Sequence, residues 1–406
     1  MSEDPSHTVI VSVFRHLADP EIESTREHNW AVIYATLDWK TQKYNTYSKV
    51  PTSSPKYISK SLEANRTGLS KTIQAMLDAG PNCKDVPAFA PDGLFSSPVQ
   101  IHLPRGDDGP ALHLSWDDGA FLIGENGSYH LNVPEIELDI WIDATKPMML
   151  HGHDGETLHD KTGSMFYYSW PRTQAVGVYQ GEKVMGTAWV DHEFSIGGES
   201  KQNPEALSYG WNWFSLLSSG VKDMEICITQ VVNEDDIIEQ YVLCNDETGQ
   251  SYKDIEFTLA SSKSWVSGHT FQNFDTCWKL KIPSRNVDLD IISVTPNQEF
   301  QTWLRMPSFY EGAVRFSGVW DGVPIKGFGA MELTKGTDEL KSMKQILNNA
   351  TSLVRQELDI CIPTSVRPNH FNRITRVRFD KYEEKVIQEN IVDAFYMLNN
   401  RGGKNW

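Results

Sequence analysis

The residues of this 406-residue chain best placed to do chemistry lie in one run, Gly186 to Phe194, reading G-T-A-W-V-D-H-E-F. The run has the composition and alternation of a β-strand. Residues two apart on a strand share a face. Trp189, Asp191 and Glu193 therefore point one way, and Val190, His192 and Phe194 the other. Two carboxyls roughly 6.6 Å apart at Cα, beside an indole, make an acid/base surface. Asp191 is the candidate proton donor, and Glu193 or His192 would tune or reload it. The plainer alternative for two acidic residues on one strand is a solvated face.

Aromatic residues supply the candidate binding surface. Tyr167 and Tyr168 sit in M-F-Y-Y-S-W, Trp211 and Trp213 share a strand face in G-W-N-W-F, and Trp265 stands in a further strand. Such rings line apolar pockets as readily as they fill cores. His151 and His153 form an H-G-H-D run, with His159 nearby. Two imidazoles on one strand face can bind a metal, but the flanking glycines indicate a turn and no third ligand is fixed by spacing. No metal and no cofactor are expected.

The elements that must position these groups are strands. Leu112 to Trp116, Ala120 to Ile123, Tyr129 to Val133 and Ile136 to Ile142 are separated by D-D-G, E-N-G and Pro134, the pattern of antiparallel β with tight turns. Adding 141 to a position reveals a repeat. Gly177, Val178, Gly181 and Gly186 map onto Gly318, Val319, Gly322 and Gly327, Tyr179 onto Trp320, and Asp191 onto Glu332. One β unit used twice accounts for this, with Gly181 and Gly322 at turns needing positive φ. Both halves read as mainly β, as barrels or sandwiches. The expected domains are residues 1–200, with an insertion at 51–98, then 201–335, then a helical tail at 336–406. In the tail Leu340, Met343, Leu347, Ala350 and Val354 follow helical spacing.

Composition narrows the partner. A net charge of −17 argues against nucleic acid and anionic membranes and favours a neutral or apolar small molecule. Five cysteines without C-x-x-C indicate neither a disulfide framework nor a zinc site. No leader-like start and no run of about 18 apolar residues are present, so a cytoplasmic chain without an integral membrane segment is expected.

The segment from M-F-Y-Y-S through G-T-A-W-V-D-H-E-F resembles the lipocalin-like family that includes hydroxyneurosporene synthase (carotenoid 1,2-hydratase), kievitone hydratase and the AttH proteins. Gly210 to Phe214, Trp265 to Ser267, Asn297 to Glu299 and Tyr310 to Val314 resemble its C-terminal portion. The family's E-W-W-Y appears here as N-W-A-V-I-Y, and residues 51–98 and 335–406 match nothing in it. The resemblance implies two calycin-like, antiparallel β units in tandem with a deep apolar pocket, and substrates that are isoprenoids or other polyenes. Fungal decalin-forming cyclases resemble the same fold. It thus implies a hydratase, or a cyclase or isomerase, of secondary metabolism. Hydration, cyclisation and pericyclic chemistry stay open at this point. So does a non-catalytic carrier of an apolar ligand, which would use the same aromatic surface.

Overall fold

The computed structural model describes residues 4–16, 29–49, 99–102, 112–152, 154–157, 165–195, 209–220, 222–233, 236–246, 248, 251–267, 272–300 and 309–334. The expected insertion at 51–98, the tail helices, His153 and His159 lie outside them. The described chain is almost entirely antiparallel strand, and its helical turns are two short 3-10 segments, Pro134–Ile136 and Pro283–Arg285.

Three sheets form. The first joins His7–His16, Asn29–Asp38 and Lys43–Lys49. The second has nine strands, and one end of it is the long hairpin Met165–Tyr179 with Glu182–Ser195, whose second strand, among the described residues, pairs with the first alone. The third has ten strands, and its centre places Tyr209–Ser219 beside the hairpin Phe309–Trp320 with Val323–Thr334.

The repeat at offset 141 is visible as these two hairpins. Each closes on a two-residue turn with both central residues at positive φ: Gln180 (51°) and Gly181 (77°), then Asp321 (51°) and Gly322 (76°). That conformation matches the right-handed strand twist, which is why such turns close tight hairpins. Gly177 and Gly318 are equivalent as well. A Cβ on either would meet the carbonyl oxygen of the neighbouring strand, of Asp139 or Asp288, at 2.0 Å.

Each large sheet buries one face. In the third sheet Phe214, Leu216, Ile226, Ile228, Val242, Met331 and Leu333 point into one core with Trp278, Leu280, Leu289 and Tyr310. In the second sheet Leu114, Trp116, Leu131, Val133, Leu138 and Tyr179 pack with Val32 and Tyr34 of the first. Strand alternation then turns Trp211, Trp213, Cys227 and Glu332 of the third sheet away from its core. That outward face meets the second sheet. Met149 packs with Cys227, Tyr241 and Leu243, and Trp189 and Trp213 lie against them.

A bulge and a buried ion group join the two sheets. Between Trp170 and Thr173 the hairpin register shifts, so that Pro171 and Arg172 stand opposite Trp189 alone. Arg172 Nε donates to Glu225 Oε1, and Lys146 Nζ reaches the same oxygen at 2.9 Å. Glu225 is fully buried, so its charge requires these cations.

Candidate functional site

The site grows from a cross-strand pair. Ser169 stands opposite Asp191, and Tyr167 opposite Glu193, on the long hairpin of the second sheet. Cross-strand partners share a face, so these four side chains and Trp189 project together toward the third sheet. Asp191 Oδ1 accepts from Trp189 Nε1 at 2.7 Å and from Ser169 Oγ. His151 Nε2 lies 2.6 Å from the same Ser169 Oγ, and Cys227 Sγ of the third sheet lies 3.7 Å from His151 Nδ1. Ser169, His151 and Cys227 have no exposed surface. The Tyr167 ring stacks on the His151 ring at 3.6 Å.

The third sheet closes the other side. Trp213 meets Trp189 edge to face, with ring centroids 6.1 Å apart. Trp213 stands opposite Glu332, Glu332 stands opposite Glu311, and Trp211 Nε1 donates to Glu332 Oε1 at 2.9 Å. The structure therefore gathers Tyr167, Trp189, Asp191, Glu193, Trp211 and Trp213 on the surfaces that meet between the two sheets.

Asp191 is exposed on its strand, as are His192 and Glu193, yet protein lies densely enough around its carboxyl to desolvate it. Desolvation is the largest influence and raises its pKa to about 6, against the hydrogen bonds from Ser169, Trp189 and Tyr167, which lower it. Glu311 is raised well above 4.5, first by burial and then by the charges of Glu332 and Asp191. Burial alone pushes His151 down to about 3, so this imidazole is neutral at pH 7. Burial pushes the Cys227 thiol up, so it is neutral too.

Three residues expected at the site stand elsewhere. His192 and Tyr168 lie on the opposite face of the hairpin, where Tyr168 Oη and His192 Nδ1 are 2.9 Å apart and Phe166 stacks on Phe194. Strand alternation dictates this: His192 follows Asp191 directly, so the two side chains diverge. Trp265 stacks on Phe274 and packs against the core of the third sheet, on a strand at the far end of its order from Tyr209–Ser219. In the H-G-H-D run Gly152 holds φ 60° and Asp154 φ 52°, and His151 enters the site from beside them.

Ser169, His151, Cys227, Tyr241 and Glu311 were missed as site residues by the reading of the sequence. Glu332 was within reach through the repeat, which maps Asp191 onto it. Two clefts elsewhere, one around Tyr34, Lys49, Asp117 and Glu135 and one around His7, Asp38, Lys43 and Tyr179, contain none of these groups.

Residues 112–336, more than half of the chain, match the family model described as AttH-like. The chain belongs to the AttH-like family. Among solved structures it is similar to a protein of Nitrosomonas europaea described as an AttH, at 19% identity and a TM-score of 0.54, over 82% of this chain and 88% of that one. It is also similar to kievitone hydratase from Nectria haematococca, at 17% identity and a TM-score of 0.51, over 82% of this chain and 84% of that one. At these identities the likeness is one of fold. No curated protein matches the chain.

Proposed function

We propose that this protein is a hydratase-type enzyme that adds water across a carbon–carbon double bond of a hydrophobic isoprenoid or polyene substrate, with Asp191 as its acid/base. The observation that carries the proposal is the Asp191 carboxyl, held at Oδ1 by Trp189 and Ser169 and raised to about 6 between two aromatic-lined sheets. The kinship in fold with a protein named as a hydratase favours hydration over cyclisation.

In the proposed reaction Asp191 gives its proton to one alkene carbon. The faces of Trp189 and Trp213 stabilise the cation left on the other. Water attacks that carbon and returns a proton to the Asp191 carboxylate, so the net change is addition of H and OH. Elimination of water is the same path in reverse. A carboxyl that is protonated in about one molecule in ten at pH 7 serves both directions.

Asp191→Asn keeps the size and most hydrogen bonding of the side chain but has no proton to give. Apolar material copurifying from the native host, identified by mass spectrometry, supplies the substrate. Turnover by the variant is expected to fall by about 100-fold or more with the fold intact. Wild-type turnover from a folded Asp191→Asn protein removes the acid role. Material bound stoichiometrically and released unchanged by the wild-type protein makes it a carrier.

A further inference from the structure

We infer that Ser169 and His151 are positioning residues for Asp191: with Cys227 they form a buried, uncharged clamp that engages Oδ1 and fixes the carboxyl for the proton exchange at the site. The inference rests on the assignment of Asp191 above, but it concerns what fixes the carboxyl.

Donor and acceptor bookkeeping gives the direction of every bond when Asp191 is ionised. A carboxylate only accepts, so Ser169 donates its single O–H to Oδ1. Ser169 Oγ then has no proton left for His151, so the 2.6 Å contact requires His151 to donate from Nε2. His151 is neutral, so Nδ1 carries a lone pair and accepts from the Cys227 thiol at 3.7 Å. Thr229 Oγ1 lies 3.7 Å from the same sulfur and completes the chain. With Trp189 Nε1 also on Oδ1, two donors fill that oxygen.

The chain is a clamp rather than a proton relay. A relay toward Asp191 would leave Cys227 as a thiolate in a fully buried site, and burial pushes its pKa the wrong way for that. A relay away from Asp191 would leave an imidazolium, which burial of His151 opposes equally. Protons therefore do not reach or leave Asp191 through the clamp. The titratable groups around the carboxyl are Glu193 and Tyr167 on its own hairpin, with Tyr167 also hydrogen-bonded to it, Glu311 and Glu332 on the third sheet, and Cys227 and Tyr241 behind the clamp.

The test is a titration of the full-length protein with aspartate labelled at the carboxyl carbon, in which Asp191→Asn identifies the Asp191 resonance. The wild-type midpoint is expected near 6. Ser169→Ala removes a donor to the ionised form, so its midpoint should rise by about one pH unit, and Ser169→Thr should return it. A folded Ser169→Ala protein with an unmoved or lowered midpoint overturns the clamp. If Ser169→Ala does not fold, nitrogen resonances of the wild-type His151 ring decide: Nε2 protonated with Nδ1 bare above the Asp191 midpoint supports it, and the opposite tautomer overturns it. A carrier with no turnover would still show this titration, so the clamp and the enzymatic reading fail separately.

Discussion

The two repeated hairpins share a sequence pattern, a turn type and an acidic residue at the same place, yet their acids live differently. In the first, Asp191 stands opposite Ser169. In the second, its counterpart Glu332 stands opposite Glu311. Each acid accepts from an indole N–H, Trp189 in one case and Trp211 in the other. The difference is the cross-strand partner. A hydroxyl donates to a carboxylate and holds it in place, whereas a second carboxylate repels it and favours the protonated form. One copy of the unit thus orients a single carboxyl, and the other sets two carboxyls against each other, which with burial raises Glu311 well above its ordinary value. Orientation suits a group that exchanges protons with a substrate, which is why we place the chemistry on the first hairpin.

The bulge is the second difference, and it offers the largest effect. It exists only in the first hairpin, and it delivers Arg172 to the fully buried Glu225 of the third sheet. Arg172→Met leaves Glu225 with Lys146 as the cation at its Oε1. Breaking a buried ion pair in this way costs about 3 kcal/mol. Denaturant unfolding should show that loss, and an unchanged midpoint would mean that the two sheets are joined by their apolar contacts alone.

A smaller effect of opposite sign is expected in the second hairpin. The pKa of Glu311 is raised on folding from its ordinary value of 4.5. Its stabilising share is therefore complete below about pH 4.5 and is lost as pH rises toward the folded value. Glu311→Gln removes that loss, so its melting temperature should fall less steeply than the wild type's between pH 5 and pH 8. Ser169, the equivalent residue, does not titrate and has no such component. Parallel melting curves for Glu311→Gln and wild type would show that the Glu311–Glu332 pair is solvated and that the two hairpins are electrostatically alike.

The strands, the repeat and the turn glycines were legible in the sequence because each rests on local pattern: alternation, spacing and the need for positive φ. Asp191, Glu193 and Trp189 were legible for the same reason. His192 was placed at the site against the alternation that sends it to the other face. The clamp was not legible. His151 and Ser169 meet through strand pairing within the second sheet, and Cys227 joins them only when the third sheet packs on it, which no spacing encodes. Pro171 was a usable signal, since proline inside an aromatic strand marks a bulge or an edge. Tyr44 shows the same limit: its hydroxyl bonds to the Glu311 carbonyl oxygen, 267 positions away.

The smallest effect separates the two turns themselves. Gly181 and Gly322 hold nearly the same φ, 77° and 76°. A side chain at either position bears the strain of the left-handed region, about 1 kcal/mol. Their surroundings differ. A Cβ on Gly181 meets nothing within 4 Å, whereas one on Gly322 meets Asn286 Nδ2 at 2.9 Å. Asn286 is not free to retreat with its backbone, because it holds φ 49° itself and its carbonyl oxygen accepts from the Gly322 N–H at 3.2 Å. Its amide end must swing away instead. Gly181→Ala should therefore cost about 1 kcal/mol, and Gly322→Ala a few tenths more. Equal losses in chemical denaturation would show that the Asn286 side chain moves without resistance. A larger loss at Gly181 would mean that the two turns, alike in backbone, relax differently once strained.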